Sequence, residues 1–217
     1  MSKAELIKRY LLLVVSLFLS AFGVAFTKHA ELGVSPISSV ANVLSCQFTR
    51  LSLGTWLIIW NCILILGQII ILRRKFQLIQ LLQIPVSFLF GYFTDFGLWC
   101  VSGIPVDKYW VRILLVLIGV VVLGFGVALS VMANVIMNSG EAFVKAISDT
   151  VHKKFGNIKT VFDISCVAAA VILSLIFFDF SIVGTREGTV ITAVLTGVVV
   201  NFFVKRLNNR AAMFQNA

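Results

Sequence analysis

Six long apolar runs dominate the chain, and each is close to the length that crosses a bilayer. Runs of about 20 apolar residues match the roughly 30 Å hydrocarbon core of a membrane. They cover residues 10–28, 55–72, 78–101, 110–133, 160–178 and 188–204. Two further segments, 33–50 and 137–154, are less apolar. The pattern predicts an all-α polytopic membrane protein with about six transmembrane helices and two partial, half or re-entrant, helices.

The two weaker segments share one polar pattern, in which polar residues recur at spacings of 3, 4, 3 and 4. These residues are Ser35, Ser38, Asn42, Ser45 and Thr49 in the first segment and Asn138, Glu141, Lys145, Ser148 and His152 in the second. Such spacing places each set on one face of a helix. The other faces are apolar, so each segment is predicted to be a helix with one polar stripe.

The matching stripes belong to an internal repeat, in which residues 23–45 align with residues 126–148. Two glycine-to-polar spacings also recur, at slightly shifted offsets. Gly54 and Asn61 are seven residues apart, as are Gly156 and Asp163, so Asn61 corresponds to Asp163. Gly91 and Asp95 are four residues apart, as are Gly197 and Asn201, so Asp95 corresponds to Asn201. We therefore predict two membrane repeats, 1–103 and 104–207, and a disordered tail at 208–217. Three full spans per repeat would make the repeats inverted, as in many secondary transporters. Four crossing elements per repeat would make them parallel instead.

Composition and charge fit a membrane protein. Hydrophobic residues make up 59% of the chain and charged residues only 12%, against about 25% charged in soluble domains. The net charge of +9 comes from small basic groups at the ends of apolar runs, which indicates contact with membrane lipids rather than nucleic acid. With six spans, 13 of the 18 Lys and Arg residues fall on the side of both termini. The positive-inside rule then places both termini in the cytoplasm.

A count of eight spans would give a similar overall charge bias, about 12 against 6, but would move the basic cluster at 73–75 to the outside. Six spans are therefore favoured. The chain contains no CxxC pair, P-loop, dinucleotide fingerprint or Ser-His-acid set. We accordingly predict no cofactor, no metal site and no enzymatic activity.

Candidate binding residues cluster at the starts of the two partial helices. Ser35 is a natural N-cap with Pro36 in the first turn, and Asn138 or Ser139 can cap the second helix. Two helix starts aimed at a common centre would direct N–H groups and positive dipole ends toward an anion or carboxylate. The alternative is a pair of ordinary loop–helix joints at the membrane surface.

Acidic residues inside apolar surroundings are the second kind of candidate. Glu141 either pairs with Lys145 at a wet interface or is a buried acid that a substrate or proton compensates. Asp95 and Asp163 serve either transport or a structural hydrogen bond between helices. The full predicted substrate-binding set is Ser35, Ser38, Asn42, Asn61, Asp95, Asn138, Ser139, Glu141, Lys145, Asp163, Thr189 and Asn201.

Two short motifs carry a family resemblance. They are the stretch "GVAFTKHAELGVSP", with Leu32, Gly33 and Pro36, and the stretch "GTVITAVLTG", with Gly188, Thr189 and Gly197. A chain with these motifs resembles the YczE/YyaS/YitT group of bacterial integral membrane proteins. The resemblance implies a polytopic protein of the bacterial cytoplasmic (inner) membrane. It implies no settled substrate.

The favoured function is a small secondary transporter or exporter of a small polar or anionic metabolite, with a midplane site between the two repeats. One alternative is the membrane-embedded substrate-binding subunit of an ATP-driven importer. Another is a scaffold or regulator without transport activity. The small residues of "GVVVLGFG" (119–126) would also allow a homodimer.

Overall fold

The computed structural model describes the backbone of residues 3–215 and the side chains of residues 5–207, and the regular secondary structure of this part of the chain consists of helices. The helices are α1 (Lys3–His29), α2 (Pro36–Gln47), α3 (Leu53–Leu72), α4 (Gln83–Val101), α5 (Tyr109–Ala133), α6 (Ser139–Val151), α7 (Phe155–Phe177) and α8 (Glu187–Gln215). Two short 3₁₀ turns, Arg73–Lys75 and Leu78–Leu82, join α3 to α4. The predicted all-α polytopic architecture is confirmed.

Helix length separates the spans from the partial helices. The described residues contain six helices long and apolar enough to cross a membrane, namely α1, α3, α4, α5, α7 and α8. By contrast, α2 has 12 residues and α6 has 13. At 1.5 Å per residue these two are only about 18–20 Å long, which is shorter than the roughly 30 Å hydrocarbon core. The predicted count of six spans and two partial helices is therefore confirmed.

The six spans alternate in direction between two faces of the molecule. We call the face where α1 begins the proximal face and the face where it ends the distal face. Side chains at the distal ends of different helices meet: the imidazole Nε2 of His29 lies 2.8 Å from the carbonyl oxygen of Ile104, and Tyr109 donates to Glu187 over 3.3 Å. Helix α8 starts at the distal face and ends at the proximal face, where α1 also begins.

The helices pack as two bundles. Bundle 1 contains α1, α4, α5 and α8, with α1 lying along α5 and the other two flanking that pair. The α1–α5 contact is close because a Cβ at Gly23 would lie 2.6 Å from the backbone nitrogen of Leu123, and one at Gly126 would lie 2.6 Å from that of Ser20. Bundle 2 contains α2, α3, α6 and α7, in which α2 packs on α7 and α6 packs on α3.

The contacts between the two bundles are uneven. Along the described residues, α3 of bundle 2 packs extensively on α4 of bundle 1, and α2 makes a smaller contact with α8. Helices α7 and α8 make at most a marginal contact. They are the counterparts of α3 and α4, since they follow the partial helix α6 in the way that α3 and α4 follow α2. The bundles are thus joined on one side of the molecule and separated on the other.

The end of the chain differs from the sequence expectation. Helix α8 continues to Gln215, well into the segment 208–217 for which a disordered tail is predicted. The segment contains no proline or glycine to end a helix, so the helix propagates from the last span. Residues 216 and 217 lie outside the described part of the chain. The predicted boundary at 103/104 falls in the loop between α4 and α5.

Candidate functional site

A cavity of about 380 Å³ lies between the two bundles, on the side where α7 and α8 are separated. Its inner end is formed by the first turns of α2 and α6, which meet: a Cβ at Gly140 would lie 3.1 Å from the Cδ1 and Cγ2 atoms of Ile37. From there the cavity extends along the facing surfaces of α7 and α8 toward the proximal face, as far as Asn201. The two partial helices therefore point their N-terminal ends at the cavity.

The starts of the partial helices are built as the sequence predicts, with one difference. Ser35 and Asn138 occupy the N-cap positions, and Pro36 is the first helical residue of α2. Neither cap side chain accepts a hydrogen bond from a backbone N–H of its helix, although Asn138 Oδ1 accepts one from the Ser139 hydroxyl over 3.4 Å. The hydroxyl of Ser35 instead donates to Ser38 Oγ over 3.1 Å. The first-turn N–H groups at both helix starts thus lack side-chain acceptors. The positive end of each helix dipole favours a negatively charged or electron-rich group at the same place.

Three ionisable side chains line the cavity among the described residues. Lys159 and Asp163 are one turn apart on α7 and form an ion pair, with Nζ 2.5 Å from Oδ1. Each side chain is about a quarter exposed, at 26% and 24%. The third group is Glu141 on α6, whose carboxylate makes no hydrogen bond or close ion pair with the described part of the chain. If both acids are ionised, this set of two acids and one base gives the lining one negative charge that no protein cation in the described part of the chain compensates.

Polar groups without a protein partner also face this space. Asn61 of α3 is only 5% exposed, and its side-chain amide makes no hydrogen bond to any described residue. Beside it, the indole Nε1 of Trp60 is buried and unpartnered, as is the hydroxyl of Thr196 on α8. All three residues line the cavity. Since an unpaired buried polar group costs about 1–3 kcal/mol, the clustering of three of them is typical of a surface that binds a polar ligand or water.

Seven of the predicted site residues are brought together here. They are Ser35, Ser38, Asn61, Asn138, Glu141, Asp163 and Asn201. Six of these form three pairs at matching positions of the sequence repeat: Ser35 with Asn138, Ser38 with Glu141, and Asn61 with Asp163. Both members of each pair line the same cavity, so the sequence repeat identified residues that share one site.

The other five predicted residues lie elsewhere, and three of them make structural hydrogen bonds. Asn42 is 1% exposed and bonds to the Lys28 ammonium over 2.6 Å and the Gly184 carbonyl over 2.5 Å. Asp95 does not line the cavity and accepts hydrogen bonds from Ser52 and Gly54 at the start of α3. Ser139 accepts a 3.2 Å hydrogen bond from the Gln68 amide through its backbone carbonyl.

Lys145 and Thr189 lie outside the cavity for different reasons. Lys145 is exposed and lines a separate groove at the proximal face. It forms no ion pair with Glu141, so this alternative for Glu141 is absent from the structure: Glu141 lines the cavity, whereas Lys145 lines the other groove. Thr189 is buried beside Gly33, at the distal start of α8. Its hydroxyl has no partner among the described residues.

The cavity lining includes Lys159 and Trp60, which are outside the predicted site set. The spacing of four between Lys159 and Asp163 is the spacing of a helical ion pair and is the signal that could have identified Lys159. Trp60 lies in a continuous apolar run, where a lone tryptophan gives no signal for a functional group. Its assignment to the cavity required the position of α3 relative to α6 and α7.

The two sequence motifs form one joint at the distal face. The backbone N–H of Gly188 donates to the Leu32 carbonyl over 2.8 Å, and Gly33 pairs with Thr185 as an isolated bridge. Gly33 has φ +103°, a conformation that favours glycine, and its Cα faces the Thr189 side chain. The motif residues therefore fix the entry to α2 against the start of α8 and position the partial helix.

Comparisons with known proteins agree with the membrane architecture. The sequence model of DUF6198, a family of unknown function, matches residues 7–205. The uncharacterized membrane protein YczE of Bacillus subtilis (strain 168) is 29% identical over 202 residues, which cover 92% of this chain and 87% of that protein. These matches confirm the resemblance to YczE-type membrane proteins. No solved structure matches the chain.

Proposed function

The chain belongs to DUF6198, a family of unknown function, and we propose that it is a small secondary transporter of a polar solute. The observation that carries the proposal is the cavity between the two bundles. It places unpartnered polar groups and the carboxyl group of Glu141 among membrane-spanning helices, and it opens between α7 and α8. Ionisable residues at such depth are expensive and typically mark a substrate or ion pathway.

An inverted repeat supports this proposal. The order of one long, one short and two long helices occurs twice along the described chain. The packing of α1 on α4 corresponds to that of α5 on α8, and the packing of α2 on α7 corresponds to that of α6 on α3. This correspondence supports our proposal that the two repeats are inverted and related by a pseudo-two-fold axis through the α1–α5 contact. Secondary transporters with such repeats bind their substrates near the midplane, at the repeat interface.

The charges of the lining favour a solute that carries a positive group. The first turn of α6 already contains the Glu141 carboxylate, so a negative group is present at the helix end that would attract an anion. Lys159 is engaged by Asp163. A small amine would compensate Glu141, and a proton would compete for the same carboxylate. The anionic metabolite that the helix starts alone suggest is therefore the less favoured solute.

Orientation and location are part of the proposal. The Lys and Arg residues are concentrated on the proximal side, 13 of 18, which supports cytoplasmic termini. The YczE-type resemblance supports the bacterial inner membrane. In this orientation the cavity opens toward the cytoplasm. The volume of about 380 Å³ lies at the lower end of the roughly 300–1,000 Å³ of small-molecule pockets, which suits a small metabolite.

Reconstitution tests the proposal. Proteoliposomes with a trapped pH-sensitive dye would receive a panel of small primary and quaternary amines. We expect at least one amine to change the internal pH with the wild-type chain and with the Lys145→Gln control. Primary amines also diffuse through lipid as the neutral base, so the change is measured against empty liposomes, and Glu141→Gln should reduce it to that background. Binding of an amine to the purified chain without flux under either direction of pH gradient would refute transport and favour a binding subunit.

A further inference from the structure

The distal end of α3 is held against the middle of α4 by a glycine contact. A Cβ at Gly91 would lie 2.6 Å from the carbonyl oxygen of Gly54, and a Cβ at Gly54 would overlap the carbonyl oxygen of Gly91. No other residue type fits at either position while the helices are this close. This contact belongs to the α3–α4 packing, which is the main junction between the two bundles.

Asp95 links the two helices by hydrogen bonds beside the glycine contact, and we call this link a latch. One carboxylate oxygen accepts a 2.8 Å hydrogen bond from the backbone N–H of Gly54, and the other accepts a 2.5 Å hydrogen bond from Ser52 Oγ. Ser52 is the N-cap of α3. A carboxylate of bundle 1 thus sits on the positive end of a bundle 2 helix. Hydrogen bonds to an ionised acceptor are roughly twice as strong as neutral ones.

The matching residues at the proximal side are separated. Gly156 is the second residue of α7, as Gly54 is of α3, and Gly197 of α8 corresponds to Gly91 of α4. A Cβ added at either Gly156 or Gly197 would meet nothing within 4 Å. Asn201, which corresponds to Asp95, is exposed on the cavity wall and has no partner in the described part of the chain. No side chain caps the start of α7.

We propose that these two sets of residues are alternating gates, latched by Asp95 at the distal side and by Asn201 at the proximal side. This inference rests on the proposed transport function. When bundle 2 rocks against bundle 1, Gly156 packs on Gly197 and the Asn201 side chain accepts the Gly156 N–H. The Gly54–Gly91 contact then opens, and the cavity is exposed to the distal face. The structure is the proximal-open state of this cycle.

The chemical difference between the latches sets the resting state. Asp95 presents a charged acceptor to its helix end, whereas Asn201 presents a neutral one. The distal gate is therefore the stronger latch, and the proximal-open conformer is the more populated one without solute. Exchanging the two side chains, by Asp95→Asn together with Asn201→Asp, should reverse the preference. The swap keeps the composition of the chain unchanged.

Two cysteine reporters make the gates visible. Thr94 is adjacent to Asp95 and fully buried at 0% exposure, while its repeat partner Val200 lines the open cavity. Thr94→Cys and Val200→Cys would be placed separately in a background in which the four native cysteines are replaced. An impermeant maleimide is added to proteoliposomes from each side. Without the swap, the Val200→Cys reporter should react from the proximal side and the Thr94→Cys reporter should stay protected.

The swap should change the two reporters in opposite directions. We expect labelling of the Thr94→Cys reporter from the distal side to rise about tenfold and labelling of the Val200→Cys reporter to fall by a similar factor, given the doubled strength of an ionised acceptor. Adding Gly197→Leu blocks closure of the proximal gate and should restore the original labelling. Gly103→Leu is the matched control, because a Cβ there also meets nothing within 4 Å and the position lies in the loop after α4.

Each outcome decides the gate separately from the function. Unchanged labelling in the swap overturns the latches, and a rise at both reporters also overturns them, because it indicates loosened packing rather than exchange. The labelling needs no solute. Opposite changes without any solute flux would leave the gates in place and refute transport. Flux without any change in labelling would support transport and refute these gates.

Discussion

Removing the Lys159 ammonium should destabilise the protein more than removing either carboxylate beside it. Lys159 is the one cation among the described residues that line the cavity. It forms an ion pair with Asp163 and also attracts the Glu141 carboxylate without a close contact. The Lys159→Met variant keeps the length and apolar stem of the side chain. It leaves two carboxylates facing each other across a partly dry space. Asp163→Asn leaves the ammonium with Glu141 as a remaining partner.

The exposure of the pair sets the expected size of the effect. Removing one partner of a fully buried pair costs roughly 3–5 kcal/mol, whereas exposed pairs contribute about 0–1 kcal/mol. Lys159 and Asp163 are each about a quarter exposed. We therefore expect a loss of about 2 kcal/mol for Lys159→Met and about 1 kcal/mol for Asp163→Asn. The double variant, which carries one fewer unpaired charge, should lose less than Lys159→Met alone.

The measurement is thermal unfolding of the detergent-purified chain. On the scale for soluble domains of 150–250 residues, a loss of 2 kcal/mol corresponds to a fall in Tm of about 4–8 °C. Lys145→Met is the control, because this exposed lysine has no partner among the described residues and should change Tm by less than about 2 °C. If Asp163→Asn destabilises as much as Lys159→Met, or if the two losses add in the double variant, the charge argument is wrong.

Two further predictions concern the frame that positions the cavity. Gly23→Ala should destabilise the protein by about 1–3 kcal/mol, because its Cβ would lie 2.6 Å from the backbone nitrogen of Leu123 at the α1–α5 contact. Gly103→Ala is the control: a Cβ there has open space, so the Tm in detergent should change by less than about 2 °C. Lys28→Met should cost about 1–3 kcal/mol, because it leaves the Oδ1 atom of Asn42 unpaired at 1% exposure. Wild-type Tm values for Gly23→Ala or Lys28→Met would contradict these packing arguments.

Span count and polar face could be predicted from the sequence because both are local properties. Apolar run length reports directly on the ability to cross a membrane, and the 3, 4, 3, 4 spacing reports on a helix face. The internal repeat added spatial information, since residues at equivalent positions of facing repeats approach the same axis. Ser38 and Glu141 occupy equivalent positions of the two repeats and line the same cavity, and the same is true of Asn61 and Asp163.

Side-chain partners could not be predicted, because they depend on how the bundles meet. Asp95 and Asp163 look alike in the sequence, each an acid within an apolar run. Asp95 caps the start of α3, while Asp163 pairs with Lys159 in the cavity. The difference arises because α3 packs on α4 whereas α7 stands away from α8. A periodic pattern specifies which face of a helix is polar but does not specify which neighbouring helix approaches that face.

The distribution of charge between the bundles explains how a solute could drive the rocking motion. Glu141, Lys159 and Asp163 all belong to bundle 2. Bundle 1 contributes neutral polar groups of α8, such as Thr192 and Thr196, to the opposite wall. A ligand shifts a conformational equilibrium only by the difference in its affinity for the two states. A solute held by Glu141 alone would bind both states equally and shift nothing. A solute that also hydrogen-bonds α8 would gain contacts as α8 approaches α7, and its binding would favour closure of the proximal gate.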